Sequence, residues 1–224
     1  MLKLKQPKPK HNLAYLWLLG IPLIISGYVF LDQPIAEWVY QQHLQAQLLG
    51  PLGWFTEIPP VLVGLAPLLV LMLGLKMFYT GKTGVFSRSL FIISLTLTSV
   101  YALKNILKWV FGRYWPLTWH NNNPSWIHNH AYGFHFFAGS LLKGDDAMAS
   151  FPSGHTVVMF TVMGMLALYF PRSRYLAFFI AAAQGLCLIL FDYHFFSDVI
   201  AGMLIGCSAA IIAYQLSYNY VFKP

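Results

Sequence analysis

The stretch FPSGHTVVMFTVMGMLALYF at residues 151–170 places a short polar motif directly before an uncharged apolar run. The run contains no charged side chain from Thr156 to Phe170, which is typical of a helix inside a membrane. Pro152 and Ser153 are residue types that begin helices, since a serine hydroxyl can accept a hydrogen bond from a first-turn amide. The stretch therefore predicts a membrane helix that begins at a polar motif.

The whole chain shares this apolar character. Of its 224 residues, 58% are hydrophobic and only 9% are charged, whereas a soluble domain carries about 25% charged residues. This composition excludes a disordered chain, a disulfide scaffold and a soluble enzyme. It indicates one integral membrane domain over residues 1–224. The two cysteines, Cys187 and Cys207, lie in apolar runs, so we expect both thiols to be free.

Uncharged runs predict an all-α membrane protein with six transmembrane helices in a bundle, because about 20 apolar residues span the hydrocarbon core. The third run has only 15 residues, or about 22 Å as a helix, so its helix must carry Lys104 and Lys108 into or near the membrane. Long outer connections are expected at 32–57 and 110–151. The runs are 12–31, 58–75, 89–103, 156–170, 175–191 and 199–222.

The distribution of charge predicts the orientation of the helices. Ten of the 14 basic residues fall on the N-terminal side of the membrane, and all seven acidic residues fall on the other side. Basic residues mark the cytoplasmic face, so we expect both termini in the cytoplasm. The membrane topology also accounts for the net charge of +7, so the charge does not indicate a nucleic-acid partner. The first run resembles a signal peptide, but its 20 residues and its lack of an Ala-x-Ala end favour a retained anchor.

Three groups of polar side chains are expected to meet at the outer ends of these helices. Ionisable residues at membrane depth indicate a functional site. Cations and a helix N-terminus bind phosphate, while two histidines allow nucleophilic attack and general acid catalysis. The groups are Lys104, Lys108 and Arg113 on the third helix, Ser153, Gly154 and His155 at the start of the fourth, and His194 with Asp198 before the sixth.

Each group also has a purely structural interpretation. Lysines near a helix end often extend their ammonium groups to the lipid headgroups. Ser153 is a suitable N-cap, and Asp198 suits the N-terminus of a helix. The convergence of all three groups on one face favours the functional interpretation.

The sequence resembles the type 2 phosphatidic acid phosphatase superfamily of membrane lipid phosphatases. That family carries the motifs Lys-x6-Arg-Pro, Pro-Ser-Gly-His and Ser-Arg-x5-His-x3-Asp. The second motif is intact at residues 152–155, and the core of the third is intact as His194-x3-Asp198. The first aligns as Lys108-Trp-Val-Phe-Gly-Arg-Tyr-Trp-Pro, which ends at Pro116.

Two family arginines are replaced in this chain. Trp115 stands before Pro116, with Arg113 two positions earlier, and Cys187-Leu188 stands where the family has Ser-Arg. Both missing arginines would hold phosphate oxygens in the family, so the phosphate clamp must differ. Lys104 lies one helical turn before Lys108 and is a candidate substitute. Lys143 and the loop histidines are weaker candidates.

The resemblance implies a phosphatase of lipid mono- or diphosphate esters that needs no metal or cofactor and works through a phosphohistidine. In that mechanism His194 attacks phosphorus, Asp198 orients His194, and His155 protonates the leaving oxygen and then activates water. The residues expected to hold the phosphate are Lys108, Arg113, Ser153, Gly154 and Lys104.

Several alternatives remain open. The same intermediate would serve a lipid phosphotransferase, and a non-catalytic lipid-binding or transport relative would explain the missing arginines. A metal enzyme is a further alternative, with His120, His128, His130 and His135 as a loose cluster. Phosphatidate, phosphatidylglycerophosphate, undecaprenyl pyrophosphate and lipid A all fit as substrates. The expected location is a bacterial inner membrane with the site facing the periplasm, among membrane lipids, and the sequence does not fix the oligomeric state.

Overall fold

The computed structural model describes residues 13–81, 83–118, 122–138 and 146–222, and over these ranges the chain is helical with only isolated β-bridges. A π-helical turn over Gly27–Leu31 joins the first two helices. The α-helices are α1 Leu13–Ser26, α2 Asp32–Gln41, α3 Leu44–Thr56, α4 Ile58–Thr80, α5 Val85–Phe111, α6 Trp126–Asn129, α7 Gly154–Tyr169, α8 Arg174–Leu190 and α9 Phe196–Phe222.

Five helical stretches among the described residues are long and apolar enough to cross a membrane. The helix α7 is apolar but has only 16 residues, or about 24 Å. The all-helical prediction is therefore confirmed, while six crossings, cytoplasmic termini and an outward-facing site remain predictions. The five stretches are Leu13–Gln41, Leu44–Thr80, Val85–Phe111, Pro171–Leu190 and Phe196–Phe222.

The expected outer connection at 32–57 is helical, as α2 and α3. Pro34 in the first turn of α2 has no N–H to donate to the carbonyl of Phe30. The chain widens into the π-helical turn just before it, where the amide of Asp32 donates to the carbonyl of Gly27. Asp32 therefore lies within one continuous helical stretch that begins in α1.

Two glycines set the distance between α7 and α9. A Cβ atom at Gly202 would lie 2.7 Å from the carbonyl oxygen of Ser153, and a Cβ at Gly206 would lie 2.7 Å from the carbonyl oxygen of Val157. Real Cβ atoms essentially never come this close to backbone, so only glycine permits the two helices to approach as they do. This contact fixes the start of α7 against the first turns of α9.

The helix α1 also packs on α9. The indole N–H of Trp17 donates to the Ser208 hydroxyl at 3.0 Å. A Cβ at Gly20 would lie 2.3 Å from a methyl carbon of Leu204, so the two helices are in close contact there as well. The first helix is therefore an integral part of the bundle around α9.

Replacing Gly202 with Ala is expected to destabilise the protein by about 1–3 kcal/mol, because the added methyl group must displace the backbone of Ser153. Gly50→Ala in α3 is the matched control, since a Cβ there meets nothing within 4 Å. The control should be neutral or slightly stabilising, as alanine favours helix. Thermal unfolding of the two variants in detergent measures the difference, and equal stability would show that the contact is not tight.

Candidate active site

His194 and Asp198 lie at the start of α9, in and just after the turn that follows α8. The Nδ1 atom of His194 is 3.6 Å from Oδ2 of Asp198, and both side chains are buried. The hydroxyl of Ser150 donates to Asp198 Oδ2 at 2.6 Å and lies 3.4 Å from His194 Nδ1. The backbone N–H of Phe195 donates to the same carboxylate oxygen at 3.1 Å. Asp198 is thus held firmly on the Nδ1 side of the imidazole, which leaves Nε2 as the reactive nitrogen.

The environment of His194 favours its neutral form. Burial lowers the pKa of His194 below the usual range of an imidazole, although the Asp198 carboxylate opposes that shift. The backbone N–H of His194 donates to the carbonyl of Leu188 at 3.2 Å, and the ring of Trp115 lies 5.1 Å from the imidazole. A buried neutral imidazole held in this way is suited to nucleophilic attack.

A cavity of about 300 Å³ opens beside this pair. His155 and Gly154 at the start of α7 line it, together with Lys104 and Lys108 from α5. The remaining walls are apolar and come mainly from α4, near Pro60. The cavity therefore combines two cations and a helix N-terminus with an apolar side, as a lipid with a charged headgroup would require.

His155, which lines this cavity, also approaches His194. The centroids of the His155 and His194 rings are 6.3 Å apart. Reacting atoms lie about 3–3.5 Å apart before a bond forms, so one phosphorus atom between the rings would be within reach of both. The structure thus brings together His155, His194 and Asp198, as the sequence predicts.

The lysines of α5 lie close to these residues. The side chain of Lys104 is 9% exposed and runs past Gly154, where a Cβ atom would lie 3.3 Å from the lysine Nζ. The Nζ of Lys108 lies 5.1 Å from the centroid of the Trp115 ring, which also covers His194. Both ammonium groups are therefore placed to attract an anion into the cavity.

Arg113 is not where the sequence analysis expects it. It is fully buried, and its two terminal nitrogens donate to Asp198 Oδ1 at 2.5 Å and to Asp32 Oδ2 at 2.6 Å. Both carboxylates lie behind His194 rather than in the cavity. The expected contact between Arg113 and the substrate phosphate is therefore corrected: in this structure the guanidinium holds Asp198.

Ser153 is the N-cap of α7, which is the structural role that the sequence offered as an alternative to phosphate binding. Its buried hydroxyl caps α7 and accepts hydrogen bonds from the amide and the hydroxyl of Thr156 at 3.4 and 2.9 Å. Its backbone N–H donates to the carbonyl of Asp198 at 3.1 Å. The residue fixes the position of α7 and does not present its hydroxyl or amide to the cavity.

From the sequence alone, Asp32 is only one of the seven acidic residues that mark the outer face. In the structure it belongs to the group of buried side chains around Asp198 and Arg113. Its Oδ1 accepts from the amide of Ser197 at 2.8 Å, and its Oδ2 accepts from the Ser197 hydroxyl at 2.5 Å. The hydroxyl of Tyr132 lies 3.3 Å from the same Oδ2. An acidic residue at the end of an uncharged run is itself a signal for a functional group, and that signal was available in the sequence.

The loop histidines do not form a metal site in the described part of the chain, where no group of three His, Cys, Asp or Glu side chains is arranged to hold a metal ion. His128, His130 and His135 are exposed, and each contacts a different aromatic ring. His120 and Lys143 lie outside the described residues.

Comparison with known proteins connects this site to a family. Residues 89–222 match the PAP2 superfamily. The chain is 36% identical over 104 residues to a lipid A 1-phosphatase of Rhizobium johnstonii and 35% identical over 104 residues to one of Rhizobium etli. The matched part is 46% of this chain but only 38% and 40% of those two relatives.

The fold also resembles a solved structure. The chain matches the crystal structure of a transmembrane PAP2 type phosphatidylglycerolphosphate phosphatase from Bacillus subtilis with a TM-score of 0.51 and 18% sequence identity. The match covers 92% of this chain and 96% of the other. At this identity the likeness concerns the fold, and it includes the helices before residue 89.

Proposed function

The chain belongs to the PAP2 superfamily, and on that premise we propose that it is a membrane enzyme that hydrolyses a lipid phosphate ester through a phosphohistidine intermediate. The observation that carries the proposal is the pair of imidazoles, His155 and His194, with ring centroids 6.3 Å apart, of which His155 lines a cavity together with two lysines. A nucleophile, a proton donor and an anion site are thereby adjacent.

In the first step, Nε2 of His194 attacks phosphorus and forms an N–P bond. The P–O bond to the lipid breaks, and the leaving oxygen takes both electrons of that bond and a proton from His155. The Nδ1 proton of His194 stays beside Asp198, which stabilises the cation on the ring. In the second step, His155 removes a proton from water, water attacks the phosphohistidine, and free phosphate leaves with His194 restored.

The phosphate would be held by Lys104, Lys108 and the amide at Gly154. The first amides of a helix have no carbonyl partner one turn earlier, so they are available to an anion. Trp115 and Leu188 occupy the positions of the two family arginines; the Trp115 ring lies against the His194 imidazole, and the Leu188 carbonyl accepts from the backbone N–H of His194. The two lysines therefore replace the missing arginine charge.

We further propose that the site faces the periplasm of a bacterial inner membrane, with six crossings and cytoplasmic termini. The excess of basic residues on the N-terminal side supports this orientation. The apolar wall of the cavity from α4 would contact the lipid tail. Lipid A phosphate is the first candidate substrate because two relatives are named lipid A 1-phosphatases.

The test is phosphate release by the purified protein in detergent, with excess chelator and no added metal. The substrates are lipid A, phosphatidylglycerophosphate, phosphatidate and undecaprenyl pyrophosphate. We expect release from at least one lipid and an acid-labile phosphoprotein after rapid quenching. Transfer of phosphate to a second lipid would instead identify a phosphotransferase, and binding without turnover of any lipid would indicate a non-catalytic relative.

Lys104→Ala is expected to lower kcat/KM by the equivalent of about 1.5–3 kcal/mol, since the variant loses a charged hydrogen bond to phosphate. Lys76→Ala is the matched control, because Lys76 is an exposed lysine of α4 that does not line the cavity. The control should retain wild-type kinetics. A loss below about 0.5 kcal/mol for Lys104→Ala, within the range of an exposed charge, would show that this lysine only extends toward the headgroups.

A further inference from the structure

Three charged side chains form a closed cluster behind the proposed nucleophile. The guanidinium of Arg113 bridges the carboxylates of Asp32 and Asp198, with N–O distances of 2.6 and 2.5 Å, and all three side chains are fully buried. We call Asp32, Arg113 and Asp198 the charge cluster. Its formal charge is −1, because it contains two carboxylates and one guanidinium.

The charge cluster lies in an aromatic enclosure. The guanidinium carbon of Arg113 lies 4.4 Å from the centroid of the Phe195 ring. It also lies 5.1 Å from the centroids of Tyr28 and Phe134, and 5.2 Å from that of Tyr132. Such rings stabilise a cation and exclude water, so charges within the enclosure are weakly screened.

The positive charge of Arg113 offsets the negative charge of Asp198. A carboxylate paired only with a guanidinium is neutral overall, so it would stabilise a cation on His194 much less. The two lysines of the cavity oppose that cation further. The charged groups around His194 are Asp198 from α9, Lys104 and Lys108 from α5, His155 from α7, and Arg113 from the segment after α5.

We propose that Asp32 is a positioning residue that offsets the charge of Arg113, so that Asp198 remains an effective counter-ion for the imidazolium formed when His194 attacks phosphorus. Asp32 comes from α2 and is held by the amide and the hydroxyl of Ser197 at the start of α9. Arg113 fixes the position of Asp198, and Asp32 keeps the net charge of the charge cluster at −1. This inference rests on the proposed function.

Removing the charge of Asp32 and removing the charge of Arg113 are expected to shift the pH profile in opposite directions. Asp32→Asn makes the cluster neutral, so the imidazolium is less stable and the acid limb of kcat/KM moves to lower pH. Arg113→Gln makes the cluster −2, so the same limb moves to higher pH. Each shift should be on the order of 1 pH unit, as expected for one charge at an effective dielectric constant near 20. The free enzyme's essential base sets this limb.

The decisive variant combines both changes. Asp32→Asn with Arg113→Gln restores a cluster charge of −1, so its acid limb should return to the wild-type pH and its kcat should exceed that of Asp32→Asn by about tenfold. In this variant Asp198 is the one charged member of the cluster, and it keeps its hydrogen bonds from the Ser150 hydroxyl and the Phe195 amide. Ser197→Ala is the matched structural control, because it removes the hydroxyl that donates to Asp32 and accepts from Arg113 without changing the charge of the cluster.

The measurements are pH profiles of kcat/KM on one lipid substrate, with thermal unfolding and gel filtration of each variant in detergent. A purely structural network predicts that all the variants lose kcat, that no acid limb moves, and that the double variant is the worst. Shifts of the same sign in the two single variants, or no recovery in the double variant, would overturn the proposal. If the single variants cannot be purified, an activity of the double variant below about 1% of wild type overturns it.

These outcomes are distinct from failure of the proposed function. A wild-type protein that releases no phosphate from any lipid ends the phosphatase proposal. A wild-type protein that does release phosphate, with an unchanged pH profile in Asp32→Asn, ends only the inference about Asp32.

Discussion

Replacing His194 with Gln is expected to lower lipid phosphate release by at least about a thousandfold, because the substitution removes the atom that forms the bond to phosphorus. Glutamine retains a polar side chain of similar length, so the contact with Asp198 need not be lost. The phosphoprotein seen in the wild type after rapid quenching should disappear together with turnover.

His128→Gln is the matched control, since His128 is an exposed histidine whose ring meets the edge of the Tyr40 ring and does not line the cavity. It should retain wild-type turnover and the phosphoprotein. Activity of His194→Gln within tenfold of wild type would remove the nucleophile from the mechanism. Loss of the phosphoprotein in both variants would show that the signal does not come from the active site.

His155→Gln is expected to reduce turnover of a lipid substrate by about 10²–10⁴-fold, because the lipid alcohol is a poor leaving group without a proton. The variant should behave differently with an aryl phosphate such as p-nitrophenyl phosphate. Its phenolate leaves without protonation, so formation of the phosphohistidine should stay fast. Hydrolysis should still be slow, because His155 no longer activates water.

Rapid mixing distinguishes these two steps. We expect a burst of nitrophenol equal to the enzyme concentration, then slow turnover and an accumulated phosphoprotein. Equal slowing of the lipid and the aryl substrate without a burst would mean that His155 only binds phosphate. Lys76→Ala again provides a control for nonspecific damage.

Local motifs predict correctly that His155 and His194 lie close together, because both motifs are tied to helix ends. The polar motif at residues 152–155 precedes an uncharged run, so His155 must lie in the first turn of α7. Asp198 lies four residues after His194, a spacing that lets one helical turn bring the carboxylate back to the imidazole. Apolar runs likewise predict the helices, since a bilayer permits few other backbone structures.

The position of Arg113 could not be predicted from its spacing to Lys104 and Lys108 along the helix. The helix α5 ends at Gly112, which has φ +51° and whose Cβ, if present, would lie 2.1 Å from the carbonyl oxygen of His135. A glycine in this left-handed conformation turns the chain away from the helix axis. Arg113 therefore no longer shares the face of Lys104 and Lys108, and motif spacing alone cannot show this.

Asp32 is harder still to predict, because 81 residues separate it from Arg113 and no short motif joins them. Its place in the charge cluster depends on the contact between the first helix and α9. Only the folded bundle reveals that contact, although the rarity of acids at membrane depth singles the residue out.

Because Asp32 forms hydrogen bonds with Ser197 and Arg113, the helices before residue 89 are expected to matter in truncations and chimeras of this protein. The region that identifies its family begins at residue 89, so a fragment of that region would still contain both histidines and Asp198. It would nevertheless lack the acid that balances Arg113, and the guanidinium would be buried with a single partner. A chimera that takes α1 and α2 from a relative would need an acid at the position of Asp32, so these two helices are expected to be exchangeable only together with a matching partner for Arg113.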